Sequence, residues 1–365
     1  MNFKIANICF LGVLAFSSCF VQSANSKLSK QKIEGVLKAS VENIVRPRLN
    51  EFKEKAIYLN EAMQALCETP NEENLKASRD EFKKLAIAWG GIEHFRSGPI
   101  KEQNRLERVL FYPDRKSTGL KQVQRRLVKK DATLTELKSL QSKSVAVQGL
   151  GAIEFLLFGT GSNDLVSTSA DFRCKFAKTA SANVEAISSE LQGSWQAGSD
   201  FSKRWMQAGN SGSIFANEQE AINELLGVLV HGLEVFRDIR IGGFLKKEAK
   251  YDRPKSALLW RSQSTLPVLK ANFKMFEGVM EEGGLYSLVE EDLNGTVNSL
   301  RFEFKQIKNT LNSISPPIAD ALGNEKQRAK LHYIKNTLGY LIERIDGEFA
   351  LMLGLSSGFS FSDGD

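Results

Sequence analysis

The carboxylate of Glu154 interrupts an otherwise apolar run between residues 147 and 159. Three aliphatic residues fall on the same helical face: Val147, Leu150 and Leu157. Burying a carboxylate on such a face costs free energy unless it is paired, protonated or bound to a ligand. Two glycines, Gly149 and Gly151, lie about one turn earlier and would let a second backbone or a bound ion approach. The run predicts either a functional carboxylate or a structural ion pair with an arginine, and residue chemistry alone favours the ion pair.

His231 and Glu234 form a second candidate site, because residues three apart share a helical face and could ligate one metal ion. That spacing is common by chance, and a core or interface histidine is the favoured interpretation. The other two histidines are His94 and His332. The sequence contains neither an H-E-x-x-H zinc-peptidase helix nor a G-x-S-x-G serine elbow.

The elements that must position these residues are predicted to be helices. Apolar side chains recur in steps of three and four, whereas sustained alternation and hairpin turn sequences are lacking. The main periodic segments span residues 37–66, 75–92, 119–130, 142–158, 171–195, 217–239, 255–280, 285–314 and 325–353. The chain is therefore expected to be all-α.

A change in composition divides the helical segments into two groups. Residues 196–212 are richer in glycine and serine and less periodic than their surroundings. We place a domain boundary there, between a helical bundle of residues 25–196 that carries Glu154 and a second bundle of residues 213–365. The sequence thus predicts two helical-bundle domains in tandem.

The first 24 residues are typical of a secretory signal peptide. Lys4 supplies the positive start, and residues 8–16 supply an apolar core that is too short to span a bilayer comfortably. A lipid anchor on Cys19 is the less favoured alternative, because Phe16 fits poorly where such signals usually carry leucine. We expect export to the periplasm or cell envelope, and no later segment resembles a membrane helix.

Cys67 and Cys174 are the two cysteines that follow the predicted signal peptide. An even pair in an oxidising compartment predicts a disulfide, with Cα atoms within about 7 Å of each other. The alternative is two buried thiols that do not meet. Neither cysteine has a histidine context that would indicate a catalytic nucleophile.

The composition is that of a globular protein, with 42% hydrophobic and 25% charged residues among 365. The net charge of +6 is mildly basic and is weak evidence for contact with an anionic membrane surface. No aromatic-plus-basic recognition motif accompanies this charge, so nucleic acid is excluded as an expected partner.

The run around Glu154 resembles the signature of the imelysin family of bacterial envelope proteins, G-x-H-x-x-E. Gly149 and Glu154 match the motif, whereas Gly151 stands where the family has histidine. Three other segments also resemble the family: residues 104–108, 155–159 and 358–360. The resemblance extends over most of the chain after the signal peptide.

The resemblance implies a pair of four-helix-bundle-like domains related by a pseudo-repeat, which the sequence His231-Gly232-Leu233-Glu234 faintly supports. It also implies a role in the cell envelope linked to iron acquisition, and the family has been classed as metallopeptidases. Without the histidine, a metal site would need oxygen donors, for which Glu93, Glu107 and Glu154 are the candidates, and iron or calcium would suit them. The competing interpretation pairs these carboxylates with nearby arginines: Arg96, Arg105 and Arg108.

Loss of the motif histidine favours a binding or accessory function over proteolysis, because a metallohydrolase needs a metal-bound water and a base. The alternatives are a metallopeptidase that uses Glu154, and a structural or peptide-binding envelope protein. The expected partner is a metal ion or another envelope protein.

Overall fold

The computed structural model describes residues 28–209, 211–290, 294–315 and 317–355, and these residues form helices and connecting loops with no strand. The predicted all-α class is therefore confirmed. The α-helices are α1 (Lys30–Ala39), α2 (Arg46–Glu68), α3 (Glu72–Gly90), α4 (Arg105–Val109), α5 (Thr118–Lys129), α6 (Leu137–Gln141), α7 (Leu150–Phe158), α8 (Asp171–Trp195), α9 (Asp200–Trp205), α10 (Glu218–Glu234), α11 (Thr265–Met280), α12 (Asn294–Asn312), α13 (Ile318–Gly323), α14 (Glu325–Arg344) and α15 (Ala350–Met352). The predicted signal peptide, Cys19 and residues 358–360 lie outside the described residues.

Single π-helical segments extend three of the long helices. They span Ser40–Val45, Val235–Ile241 and Ile345–Phe349. The first joins α1 to α2, which has Pro47 in its first turn, where proline is tolerated. Within the described residues, none of the helices combines the length and the apolarity needed to cross a bilayer.

The N-terminal half is built on α2, α3, α7 and α8, and the C-terminal half on α10, α11, α12 and α14. Large apolar side chains such as Phe52, Trp89, Phe273 and Phe276 are almost completely buried and belong to one continuous core that runs through both halves. Helix α3 packs on α11, which joins the two halves directly. The division into two domains and the pseudo-repeat stay predictions.

A disulfide joins Cys67, near the end of α2, to Cys174 in α8, and their Cα atoms are 5.6 Å apart. The segment predicted to be a boundary contains α9, whose Trp205 is fully buried. The indole Nε1 of Trp205 donates a hydrogen bond of 3.0 Å to Ser97 Oγ in the N-terminal half. The disulfide thus joins two long helices, and the Trp205 hydrogen bond fixes the short helix α9 to the N-terminal half.

The predicted helix over residues 255–280 begins ten residues later than expected, at Thr265. Polar side chains in the preceding loop bond the backbone locally, which competes with helix formation. Thr265 Oγ1 donates to Leu258 O at 2.6 Å, and Ser262 Oγ lies 3.0 Å from Leu259 O. Leu259 and Gln263 also have positive φ angles of 51° and 60°, which a right-handed helix does not allow. Residues 257–264 therefore form a loop, and this loop reaches Glu154.

Candidate functional site

Helix α7 carries Glu154, and a close approach of two backbones fixes its beginning. The predicted helix over residues 142–158 is interrupted, because Gly149 is extended, with φ −127° and ψ −156°. A Cβ at Gly149 would collide with the carbonyl oxygens of Arg108 and Val109. Gly149 is thus explained by backbone packing, and Val147 lies on a separate 3₁₀ turn rather than on the helix of Glu154.

A hydrogen-bond network anchors the segment before α7. Arg108 Nε donates to Gln148 Oε1 at 3.0 Å, and Arg108 Nη2 donates to Asn183 Oδ1 at 3.2 Å. The amide of Asn183 in turn donates to Gln148 O at 3.2 Å. Arg105 instead binds Glu190 at 2.9 Å and Pro99 O at 2.9 Å. Contrary to the competing interpretation, neither arginine pairs with Glu154: Arg108 holds the segment before α7, and Arg105 holds the segment around Pro99 against α8.

Two other arginines bind the end of α7, where the last carbonyl groups lack partners within the helix. Arg79 Nε donates to Leu157 O at 2.8 Å. Arg173 donates to Leu156 O at 2.9 Å and to Phe155 O at 3.1 Å. Both ends of this short helix are therefore held firmly, which fixes the position of Glu154.

The Glu154 side chain is buried, with 4% of the residue exposed, and its partner comes from the other half of the chain. Oε1 accepts hydrogen bonds from Ser262 N at 3.0 Å and from Ser262 Oγ at 2.9 Å. Oε2 lies 3.9 Å from Arg261 Nη1. Burial raises the pKa of Glu154 above its ordinary value, while the Ser262 hydrogen bonds and Arg261 act in the opposite direction.

The loop that carries Arg261 and Ser262 holds two strained residues. Positive φ at Leu259 and Gln263 is costly for non-glycine residues and is found where surrounding contacts enforce it. In this loop the contacts are the hydrogen bonds of Ser262 to Glu154 and of Thr265 to Leu258. The strain therefore lies beside the buried carboxylate, as is common at functional sites.

A cavity of about 640 Å³ lies against Glu154, between the two halves of the chain. Its N-terminal wall includes Tyr112, Gly151 and Glu154, and its C-terminal wall includes Arg253 and residues 255–261. Gly151, at the position of the motif histidine, is exposed, and a Cβ there would meet no heavy atom within 4 Å. The replacement of histidine by glycine thus leaves open space beside the carboxylate.

Glu93 lies at a different place, in a buried cluster where α3 meets the C-terminal half. It is 1% exposed, forms an ion pair with Arg240, and accepts a hydrogen bond of 2.9 Å from Asn272 Nδ2. Its neighbour His94 is also buried, and burial together with Arg96 and Arg240 lowers the pKa of His94 well below its ordinary value. This cluster joins the halves through polar contacts.

The Glu93 cluster contacts the cavity wall through one aromatic ring. The Arg240 guanidinium lies 4.6 Å from the centroid of the Tyr112 ring. The Tyr112 hydroxyl donates to Ser256 O at 2.9 Å, at the opposite wall of the cavity. The peptide bond between Tyr112 and Pro113 is cis.

The structure does not bring Glu93, Glu107 and Glu154 together as metal ligands. Glu93 and Glu154 have the separate partners given above, and Glu107 is exposed, with Arg96 as a charged neighbour. Within the described part of the chain, no group of three or more His, Cys, Asp or Glu side chains could hold a metal ion. The physical reason is that each buried carboxylate already has hydrogen-bond donors or an arginine beside it.

His231 and Glu234 do lie together, with His231 Nδ1 3.6 Å from Glu234 Oε2. Both are partly exposed, at 39% and 20% of the side chain. No third acidic or thiol ligand joins them in the described residues.

The residues that complete the site, Trp260, Arg261 and Ser262, were not predicted. They lie in a segment for which the apolar periodicity predicts a helix, although its serine and threonine residues are typical of loops that bond their own backbone. That local signal could have indicated the loop, but no local pattern connects it with Glu154, which is 108 positions away.

Comparisons with known proteins identify relatives of this fold. The imelysin family model matches residues 45–345. The crystal structure of an imelysin-like protein from Psychrobacter arcticum 273-4 is 17% identical and has a TM-score of 0.72, covering 90% of this chain and 98% of that one. An iron-regulated protein A precursor from Parabacteroides distasonis ATCC 8503 is 15% identical and has a TM-score of 0.73, covering 89% and 97%. No match was found among curated proteins.

Proposed function

The chain belongs to the imelysin family, and we propose that it is an exported binding protein of the cell envelope that serves iron acquisition, with the cavity beside Glu154 as its binding site. The observation that carries the proposal is the open space at Gly151. A cavity of this volume is within the range of small-molecule sites, and such sites commonly lie between structural units. Residues of both halves line the cavity, and Glu154 bonds to Ser262 across the two halves, so a bound ligand would contact both halves.

Export and the link to iron have separate support. Residues 1–24 resemble a signal peptide, and the Cys67–Cys174 disulfide suits an oxidising compartment. The family resemblance supports a role in iron acquisition, as does the name of the structural relative from Parabacteroides distasonis. In this role iron is cargo rather than a resident cofactor.

A metallopeptidase that uses Glu154 is the second candidate. Burial raises the pKa of Glu154, and a buried carboxylate beside a cavity suits general acid–base chemistry. The donor set does not fit a resident metal ion, because the described residues offer no group of three ligands and Arg261 is the nearest charged group to Oε2. Binding is therefore the better supported function, ahead of peptide hydrolysis and of a purely structural role.

The test is to fill the cavity without disturbing the fold. Gly151→Phe places a ring in open space, and Gly193→Phe is the matched control, because Gly193 in α8 is also exposed and also has no atom within 4 Å of a Cβ. Both variants are expressed in a strain that lacks the gene, under iron limitation. We expect Gly193→Phe to restore growth and Gly151→Phe to fail although it is exported and folded. Equal growth of the two strains would show that the proposed function does not depend on the cavity.

A further inference from the structure

We propose that the ligand of this cavity is a small multiply charged anion that carries carboxylate or phosphate groups, with Arg261 as its principal contact. This inference rests on the proposed binding function and names the chemical class of the ligand. It is carried by the charges that line the cavity, by the partners of each charge, and by the surroundings of Arg261.

Cationic side chains outnumber acidic ones at the cavity wall. The cations are Arg115, Lys246, Arg253, Lys255 and Arg261. The acids are Asp114, Asp238 and Glu154. A cleft with an excess of one charge raises the local concentration of ligands of the opposite charge.

The acidic side chains of the wall already have partners. Asp238 accepts two hydrogen bonds from Arg237, at 2.9 and 2.6 Å. Asp114 Oδ2 accepts a hydrogen bond of 3.0 Å from the backbone N–H of Leu120. Glu154 is bound by Ser262. Each acid is therefore bound by a partner other than the cations of the wall, apart from the long contact of 3.9 Å between Glu154 and Arg261.

The cationic side chains of the cavity wall have far fewer partners of opposite charge. Among the described residues, no carboxylate lies within 4.0 Å of Arg115, Arg253 or Lys255. Asp252, which lies in the same segment, is bound instead by Arg328 at 2.7 Å. Burial lowers the pKa of Lys246, and Arg253 lowers it further, so like charges crowd this wall. An anion would relieve that repulsion.

Arg261 is preorganised to bind such an anion. Its guanidinium lies 4.5 Å from the Trp260 ring centroid and 5.6 Å from the Phe155 ring centroid, and only 21% of the side chain is exposed. Contacts with aromatic rings hold the plane of the guanidinium. No hydrogen bond connects that guanidinium to another described residue, and its one ion pair, with Glu154, is long at 3.9 Å. Its N–H groups therefore remain available for a carboxylate or phosphate, which arginine binds in a bidentate manner.

The same chemistry could come from a free anion or from an iron chelate, and a titration separates the two. The probes are citrate, inorganic pyrophosphate, ferric citrate and an uncharged ferric trihydroxamate, added to the oxidised chain from residue 25 to 365. Trp260 lies in the cavity wall, so tryptophan fluorescence and calorimetry both report binding. We expect one or more anionic probes to bind, with an affinity that falls as salt is added. Binding of citrate or pyrophosphate would identify a free anion, and binding of ferric citrate alone would identify the chelate.

Three variants assign the binding to the wall charges. Arg261→Gln is expected to lower the affinity at least tenfold, and Arg261→Lys, which keeps the charge but not the planar fork, should lie between that variant and the unmodified chain. Arg301→Gln is the matched control, because Arg301 binds Glu281 outside the cavity, and it should leave the affinity unchanged. Melting temperatures verify that each variant folds.

Two results would overturn the inference, and they differ in what they leave standing. If only the uncharged trihydroxamate binds, and Gly151→Phe abolishes this binding, the inference of an anionic ligand is wrong while the proposed binding function holds. If no probe binds and Gly151→Phe still restores growth under iron limitation, both fail.

Discussion

Removing the hydroxyl of Ser262 tests whether Glu154 carries a buried negative charge in the native state. Ser262→Ala leaves the carboxylate with the backbone N–H at 3.0 Å but without the Oγ donor at 2.9 Å. A hydrogen bond to a charged group contributes roughly 1.5–3 kcal/mol, and one to a neutral group contributes roughly 0.5–1.5 kcal/mol. The cost of this substitution should therefore depend on the ionisation of Glu154.

The direction of the pH dependence follows from the raised pKa of Glu154. Because burial raises that pKa above its unfolded value, the folded chain binds the proton more tightly, and this contribution to stability is lost as the pH rises through the unfolded and then the folded pKa. Ser262→Ala removes a donor that stabilises the charged form. We expect it to lower the free energy of unfolding by about 2 kcal/mol at pH 8 and by about 1 kcal/mol near pH 4.

The assay is urea denaturation at both pH values, repeated in a Glu154→Gln background. In that background the amide is neutral throughout, so Ser262→Ala should cost the same at pH 4 and pH 8, and the double-mutant cycle isolates the coupling between the two side chains. Ser264→Ala is the control, because Ser264 Oγ contacts Ser262 Oγ at 3.0 Å and not the carboxylate. An equal cost of Ser262→Ala at both pH values in the unmodified chain would refute a charged Glu154.

The remaining predictions concern the disulfide, the two glycines and hydrolysis. Thiol titration of the native protein should find Cys67 and Cys174 both oxidised, and replacing both by serine should lower the free energy of unfolding by about 2–4 kcal/mol in urea. Gly149→Ala should destabilise the fold by roughly 2 kcal/mol or more, because the added Cβ would meet two carbonyl oxygens. Gly151→Ala should be neutral or should stabilise the fold by up to about 1 kcal/mol, because it replaces a helical glycine in open space. Calorimetric melting of the two variants compares these effects. Purified protein should not cleave casein above background, and cleavage that a chelator stops and Glu154→Ala abolishes would favour the metallopeptidase.

The helical class and the family could be predicted from the sequence because both depend on local patterns. Apolar residues at steps of three and four determine each long helix, and α8 spans Asp171–Trp195 as the periodicity predicts. The loop at residues 257–264 could not be recognised in this way, because Leu258, Leu259 and Leu266 continue an apolar helical pattern into it. There the hydrogen bonds of Ser262 to Glu154 and of Thr265 to Leu258 O prevail over propensity.

The partners of the buried carboxylates could not be predicted from the sequence for a different reason. Burial of Glu154 follows from its apolar neighbours, but its donor Ser262 is 108 residues away, and the ion pair of Glu93 with Arg240 spans 147 residues. Only the packing of the two halves decides which donor faces which carboxylate. The arginines of residues 104–108 are close in sequence and predict such pairs, yet Arg108 binds the segment before α7 and Arg105 binds Pro99 O and Glu190.

Glycine at position 151 determines which chemistry the proposed site can support. A histidine there would place a nitrogen ligand beside Glu154, whereas glycine provides no donor side chain, and the nearest charged group to Glu154 Oε2 is the guanidinium of Arg261. A bare cation entering this cavity would meet an excess of positive side chains, and Coulomb repulsion would oppose it. An iron ion enclosed in an anionic chelate would avoid that repulsion, because the chelator would supply the metal ligands and its outer carboxylates would be free to bind Arg261. If the proposed role in iron acquisition is correct, the charges of the cavity therefore favour metal that arrives already bound over a bare ion.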